Sequence, residues 1–249
     1  MGIVYHGSSS RNMSIIDPQP STHGTYVYAT PYKEIAVVYG KRCGDDLTYS
    51  FTPNKETNKY MLIERIPGAF KKMFNVSSSI YTIDDKTFKD LKTGFPEVGS
   101  EVSVKILSEE YIDDLYREII DMGERGDIEL YLYPNKPKNM SNDDLDIIGK
   151  EIFYITKMNK IKSKNEFDRL IYLHPNLIEE VNNKILPLLN IEEKYTKENL
   201  IKIFEDRVNR QNQNKEHEQF IECAYEMIVK YYPELKDKLD ILNKRSTNE

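Results

Sequence analysis

Ile3-Val4-Tyr5-His6-Gly7-Ser8, then Thr25-Tyr26-Val27-Tyr28-Ala29-Thr30, then Pro31 running to Tyr39, is the stretch that decides how this chain is read. Within the first two runs, Ile3–His6 and Tyr26–Ala29 are short, apolar or alternating and are followed by Gly, Ser or Thr, which is the pattern of strands with a buried face. Pro31 pre-sets a helix start, and Ile35, Val38 and Tyr39 follow at helical spacing. A strand–strand–helix order of this kind brings His6, Tyr28 and Tyr39 toward one edge.

Outward from there, the first ~135 residues read as mixed α and β. Further strands are expected at Leu47–Phe51, Tyr60–Ile66, Ser79–Ile83, Glu101–Leu107 and Ile128–Tyr133. Pro67 opens a helix carrying Phe70 and Phe74, and Asp84 or Asp85 caps another carrying Phe88 and Leu91. Ser108, with Glu109 and Glu110 behind it, reads as the N-cap of a helix bearing Ile112, Leu115, Tyr116, Ile119 and Ile120, stopped at Gly123.

Pro134 and Pro137, set among polar residues, then break the pattern. Beyond them the chain reads as almost wholly helical. Ser141, Ser163, Asn176 and Thr196 stand as helix starts; Glu166 and Glu179 give Ser163 and Asn176 the capping-box spacing. Phe220, Cys223, Ala224, Met227 and Tyr231 form one apolar face, and Pro233 opens a last short helix. The boundary falls near residue 138, giving domains 1–138 and 139–249.

Composition narrows the function. Of the 249 residues, 39% are hydrophobic and 31% charged, with 18 Tyr, 9 Phe and no Trp. A formal net charge of −6 argues against a polyanion binder, and the lysines from Lys157 to Lys164, spaced by apolar residues, read as solvated helix faces. Cys43 and Cys223 form no disulfide framework or zinc set, which suits a reducing cytoplasmic setting. Cys43, beside Arg42, reads as inert without a histidine partner. No signal peptide and no membrane span are expected, and Met1-Gly2 is discounted as a myristoylation start because position 6 is His6. His23, His174 and His217 lack metal-ligand spacing, so no metal is expected.

The residues that carry chemistry are a histidine, two tyrosines and a carboxylate. Two tyrosine rings can hold a flat ring between them. A carboxylate on a sugar hydroxyl stabilises positive charge developing at the anomeric carbon. A planar cationic leaving group on a ribose fits these parts, and the nicotinamide of NAD is such a group.

His6-Gly7-Ser8 on a first strand, Tyr28-Ala29-Thr30 on a second, and Ala36 and Tyr39 on the following helix resemble the ADP-ribosyltransferase superfamily, in the His-Tyr-Glu branch shared by diphtheria-type toxins and poly(ADP-ribose) polymerases. The second tyrosine, eleven positions after the first, is spaced as in that branch. The resemblance covers residues 3–133. It implies an α+β fold with a split β-sheet and short helices, followed here by an all-α C-terminal domain. It implies NAD as co-substrate and His6, Tyr28 and a glutamate as the catalytic set. His6 would bind the adenosine-side ribose and Gly7 the nicotinamide amide; Tyr28 and Tyr39 would sandwich the nicotinamide. Ser8 belongs to the NAD-binding strand end, and Thr30 would support the second strand. Glu101, in Glu101-Val102-Ser103-Val104, best matches the family's glutamate at the start of a late strand, with Glu97 and Glu129 as alternatives. Tyr26, on the face of Tyr28, is an alternative motif tyrosine.

Two departures matter. Arginine-directed members carry an acidic residue two before the catalytic glutamate, and Gly99 stands there. Their Ser-Thr-Ser pattern is replaced by Tyr28-Ala29-Thr30. The RNA 2′-phosphotransferase branch is a weaker resemblance. The expectation is therefore a mono-ADP-ribosyltransferase acting on an unidentified acceptor. Alternatives are an NAD glycohydrolase, or an inactive fold that serves as a binding module through its helical domain.

Overall fold

The computed structural model describes residues 2–21, 23–138, 140, 143–158, 163–213 and 220–245. The chain is mixed α and β, with antiparallel sheets in its N-terminal part and a helical C-terminal part. It divides into two compact units. One comprises Met1–Gly44, Thr52–Met61 and Phe70–Leu130; the other comprises Asp45–Phe51, Leu62–Ala69 and Tyr131–Glu249.

The first unit is built on two four-stranded sheets. β1 (Ile3–Ser8), β2 (Ile15–Ile16), β3 (Gln19–Ser21) and β4 (Gly24–Ala29) precede helix α1 (Lys33–Tyr39). β5 (Tyr49–Asn54) and β6 (Lys59–Glu64) form the arms of a hairpin, followed by α2 (Ala69–Phe74) and β7 (Ser78–Asp84). β8 (Lys89–Asp90), β9 (Val98–Ser100), β10 (Val104–Ile112), α3 (Leu115–Arg125) and β11 (Glu129–Tyr131) complete the series. The sheet orders are β1-β7-β10-β2, β3-β4-β9-β8 and β11-β6-β5.

The two four-stranded sheets face each other across one core. Val4 of β1, Val27 and Ala29 of β4, Tyr81 and Ile83 of β7, and Val104 of β10 are buried together, with Met13, Phe88 and Val98 packed on them. Alternation along β4 explains the choice: Val27 and Ala29 point inward, so Tyr26 and Tyr28 point the other way. Backbone bonds join the sheets where Tyr5 N donates to Thr30 O (2.7 Å) and Thr30 N to Tyr5 O (2.9 Å). Helix α1 lies on β1 so closely that a Cβ on Gly7 would stand 1.9 Å from Ala36 O. Ile35, Ala36, Val37 and Val38 are all buried.

Several sequence expectations fail in this unit: residues 101–103 of the strand expected over Glu101–Leu107 lie between β9 and β10, and the helix runs through Gly123. Ser108, Glu109 and Glu110 do not cap a helix; they lie in β10, paired with Thr82, Tyr81 and Ile80 of β7. The helix starts at Leu115, where the Asp114 carboxylate accepts from Arg117 N (2.9 Å), and stops at Gly126, whose φ of 76° suits a residue without Cβ. Ladder pairing to β7 overrides a local cap signal that Asp114 supplies equally well. Asp84 does cap, accepting from Lys86 N, but the helix is only a 3₁₀ turn, Asp85–Thr87, before β8 takes Lys89 into a sheet.

The second unit is helical. It contains α4 (Asp143–Met158), α5 (Asp168–Leu173), α6 (Ile178–Glu180), α7 (Leu186–Leu188), α8 (Lys197–Gln213), α9 (Ile221–Tyr231) and α10 (Lys236–Arg245). A π-helical stretch, Val181–Ile185, links α6 to α7. Phe167, Leu170, Leu186, Leu200, Phe204, Ala224, Ile228 and Leu239 form its buried interior. At Thr196 the expected cap forms reciprocally: Asn199 N donates to Thr196 Oγ1 (3.3 Å) and Thr196 N to Asn199 Oδ1 (3.0 Å). Ser163 precedes a 3₁₀ turn without a side-chain cap bond, Asn176 sits inside another, and Ser141 lies outside the described residues. On α9, Cys223, Ala224 and Met227 are buried while Tyr231 is exposed.

The segments Asp45–Phe51 and Leu62–Ala69 belong to this unit for physical reasons. His174 Nε2 donates to Leu47 O (2.6 Å), Arg65 binds Asp46 O (3.1 Å) and Asp146, and Tyr133 N donates to Glu64 (3.0 Å). Arg169 joins the buried Glu151 (2.6 Å) to Asp45 (2.9 Å). The unit is therefore not the uninterrupted 139–249 segment that the proline break at 134–137 suggested. Among the described residues no helix is long and apolar enough to cross a membrane, and neither Cys43 nor Cys223 forms a disulfide.

Candidate active site

A cleft of about 280 Å³ opens in the first unit, beside the junction of the two sheets. β1 supplies Tyr5, His6 and Gly7; β4 and the residue after it supply Tyr28, Ala29 and Thr30; α1 supplies Ala36 and Tyr39. The turn before β9 supplies Phe95, Pro96 and Glu97.

His6 is fixed by one bond. Its Nδ1 lies 2.7 Å from Tyr28 O, and since a carbonyl only accepts, Nδ1 carries the proton. Burial pushes the imidazole below its ordinary pKa, partly offset by the Tyr28 carbonyl. A neutral ring with its proton on Nδ1 leaves Nε2 as an acceptor, suited to a hydroxyl. The His6 ring also stands 6.5 Å from that of Tyr81.

The Tyr28 hydroxyl donates to Gly24 O (2.9 Å), which lays the ring back along β4, and the Tyr26 ring meets it edge-on at 5.8 Å. Tyr39, at the C-terminal end of α1, meets Phe95 edge-on at 6.1 Å and has Lys41 Nζ 4.5 Å from its ring centre. Thr30 is buried; its hydroxyl accepts from Tyr32 N (3.3 Å) while its backbone holds β1. Gly7 is needed by the close approach of α1 to β1, and that same approach brings its backbone to the cleft wall.

The carboxylates separate clearly. Glu97 lines the cleft, in the turn immediately before β9. Burial pushes its carboxyl above the ordinary range, against the charge of His23 and a hydrogen bond from Thr93. Glu101 is exposed at the opposite end of β9. Four residue steps, roughly 13 Å at ~3.3 Å per step of extended chain, separate the two. Glu129 is engaged elsewhere, accepting from Asn54 Nδ2 (2.9 Å) and from the Thr57 hydroxyl.

A second depression, of about 380 Å³, shares His6 and Tyr28 with the first and is walled by Ser8, Ser10, Met13, Asp17 and Tyr26. Ser8 and Tyr26 thus belong to this neighbouring hollow rather than to the cleft. Neither Cys43 nor His174 is among the lining residues of either hollow. Burial raises the Cys43 thiol pKa more than Arg42 lowers it, and the His174 ring is buried in the helical unit.

Sequence reading foresaw His6, Gly7, Tyr28, Thr30 and Tyr39 in one place, and the structure brings all five together. It did not name Phe95, and it ranked Glu101, which is not among the cleft's lining residues, above Glu97, which lines it. The usable signal was Glu97-Val98, a glutamate directly before a strand whose register pairs Val98 with Ala29. Comparison with protein-family models, curated proteins and solved structures returns no match for this chain.

Proposed function

We propose that the chain is an NAD-dependent mono-ADP-ribosyltransferase, with its site in the cleft bounded by His6, Tyr28, Tyr39 and Glu97. The observation that carries this reading is convergence: a neutral histidine, two tyrosines and a carboxylate from four separate elements line one cleft of about 280 Å³. The resemblance noted in the sequence makes NAD the ligand of choice for that set.

In this reading Tyr28 and Tyr39 orient the nicotinamide ring, with Phe95 supporting Tyr39 from its edge. Gly7 offers backbone to the nicotinamide amide. His6 Nε2 accepts from a hydroxyl of the adenosine-side ribose. Glu97 takes the role first expected of Glu101, accepting from a hydroxyl of the nicotinamide ribose and stabilising the oxocarbenium charge. The C1′–N bond breaks and nicotinamide leaves with the electron pair. The acceptor forms the new bond to C1′ with its own lone pair and releases its proton to Glu97 or water. The work is positional and electrostatic. With Glu97 as the carboxylate, the position two before it is Phe95, again not acidic, so arginine acceptors remain disfavoured.

Calorimetric titration with NAD, followed by chromatography of released nicotinamide, tests the reading. Saturable binding and nicotinamide release are expected. No binding at millimolar NAD would overturn it and favour a non-catalytic binding module. ADP-ribose accumulating without any modified acceptor would favour glycohydrolysis.

A further inference from the structure

Beside His6 in the same sheet, Tyr81 and its neighbour Glu109 do work that the proposed reaction leaves unused. Tyr81 of β7 is fully buried, yet its hydroxyl reaches the loop that follows β1. It donates to Ser10 O (2.9 Å) and accepts from Met13 N (3.3 Å). Glu109 of β10 stands beside it, 3.2 Å from the same hydroxyl. Its carboxylate accepts from Asn12 N (3.2 Å) and from the Ser79 hydroxyl (2.5 Å), and Arg11 adds a favourable charge. The loop turns at Asn12, whose φ of 58° is left-handed, and Arg11 stacks 3.5 Å from the Tyr111 ring centre.

The loop residues held are also wall residues. Ser10 and Met13 line the hollow that shares His6 and Tyr28 with the cleft. Three backbone groups in four residues, Ser10 O, Asn12 N and Met13 N, are therefore fixed by two side chains from the neighbouring strands. A surface loop lacking its own ladder ordinarily moves freely. Here a buried phenol and a carboxylate hold it at one distance from His6.

We propose that Tyr81 and Glu109 are positioning residues: they clamp the Ser10–Met13 loop as a fixed wall beside His6 and thereby set the affinity for the part of the co-substrate lying past the histidine. The proposal rests on the NAD reading for its ligand, but the clamp itself is a property of the unliganded chain. The clamp acts on binding and not on bond cleavage, because neither residue lines the cleft that holds Glu97.

The test uses the full chain and the variants Tyr81→Phe and Glu109→Ala, with Lys86→Ala, an exposed residue of the 3₁₀ turn after β7, as a control. Hydrogen exchange by mass spectrometry on the unliganded proteins is read at residues 9–14. Steady-state kinetics are read with NAD. Expected in both variants are at least tenfold faster exchange in that segment and a KM for NAD raised about fivefold or more, with kcat within twofold of the parent. Unchanged exchange overturns the clamp. Faster exchange with unchanged KM overturns its role in affinity, and a fall in kcat at constant KM does the same. A parent that binds no NAD sinks the proposed function by itself, while the exchange result still decides the clamp. Glu109→Gln, which keeps an oxygen for Asn12 N, is expected to restore exchange protection where Glu109→Ala folds poorly; failure to do so counts against the clamp.

Discussion

His6 Nδ1 and Tyr28 O are joined across 2.7 Å, a side chain of one sheet bound to the backbone of the other. The bond fixes the tautomer and orients Nε2. His6→Ala is therefore expected to weaken NAD binding at least tenfold, which is about 1.4 kcal/mol. His6→Asn retains a donor and is expected to lose less. Calorimetric titration checks both, and equal affinity of His6→Ala and parent would remove His6 from the site.

The same burial makes a prediction about stability. The folded pKa of His6 lies below its ordinary 6.5. Above 6.5 both folded and unfolded states are neutral there and His6 contributes no pH dependence. Below it the unfolded chain takes up the proton first, so stability falls as pH drops, and the fall is complete once pH is below the folded pKa. Urea denaturation between pH 7.5 and 5 is expected to show a smaller loss in His6→Asn than in the parent. An identical slope in the two would count against a neutral buried ring.

Glu97 and Glu101 flank one three-residue strand and separate by a direct experiment. Glu97→Gln is expected to lower kcat by about 10²–10³-fold, the usual cost of removing one charge-stabilising group. Glu101→Gln is expected to stay within twofold. Because burial raises the Glu97 pKa, the acid limb of the rate profile is expected above the ordinary carboxylate range, with activity lost as pH falls through it. The reverse ranking of the two variants would restore Glu101.

Gly7 tests the floor of the cleft. A methyl group there meets Ala36 O at 1.9 Å and Gly40 N at 2.9 Å, both backbone atoms that cannot swing aside. Gly7→Ala is expected to destabilise the protein by about 1–3 kcal/mol through displacement of α1. Thermal unfolding reads this, and a melting temperature within a degree of the parent's would contradict the close packing.

In the helical unit, Glu151 is only 1% exposed and is held by Arg169 at 2.6 Å. Arg169→Ala leaves that carboxylate buried without its partner and is expected to cost roughly 3 kcal/mol in urea unfolding. Substituting both residues with apolar side chains of similar volume is expected to recover much of that loss.

The parts of the fold readable in the sequence were those where one signal acts alone. β4 alternates cleanly, α1 begins two residues after Pro31, and Thr196 caps α8. Errors arose where two signals competed. Ser108-Glu109-Glu110 has cap chemistry, yet Ser79, Tyr81 and Asn12 give Glu109 better partners on a sheet. The site followed the same rule. His6, Tyr28 and Tyr39 are named by type and spacing, whereas Glu97 is brought to the cleft wall by the β4–β9 register, a non-local fact. The discontinuous helical unit was illegible for a related reason: bonds such as His174 to Leu47 span 127 positions.

At the seam between the two sheets, Tyr5 and Thr30 exchange backbone bonds that any residue pair makes, while the imidazole of His6 adds a bond that few side chains can replace. The seam is thus sewn mostly with thread that does not depend on spelling. One letter in it does. Replacing His6 removes a stitch as well as a ligand contact, so the empty protein already carries a signature of the loss: a loosened edge at Tyr28, detectable before any co-substrate is added.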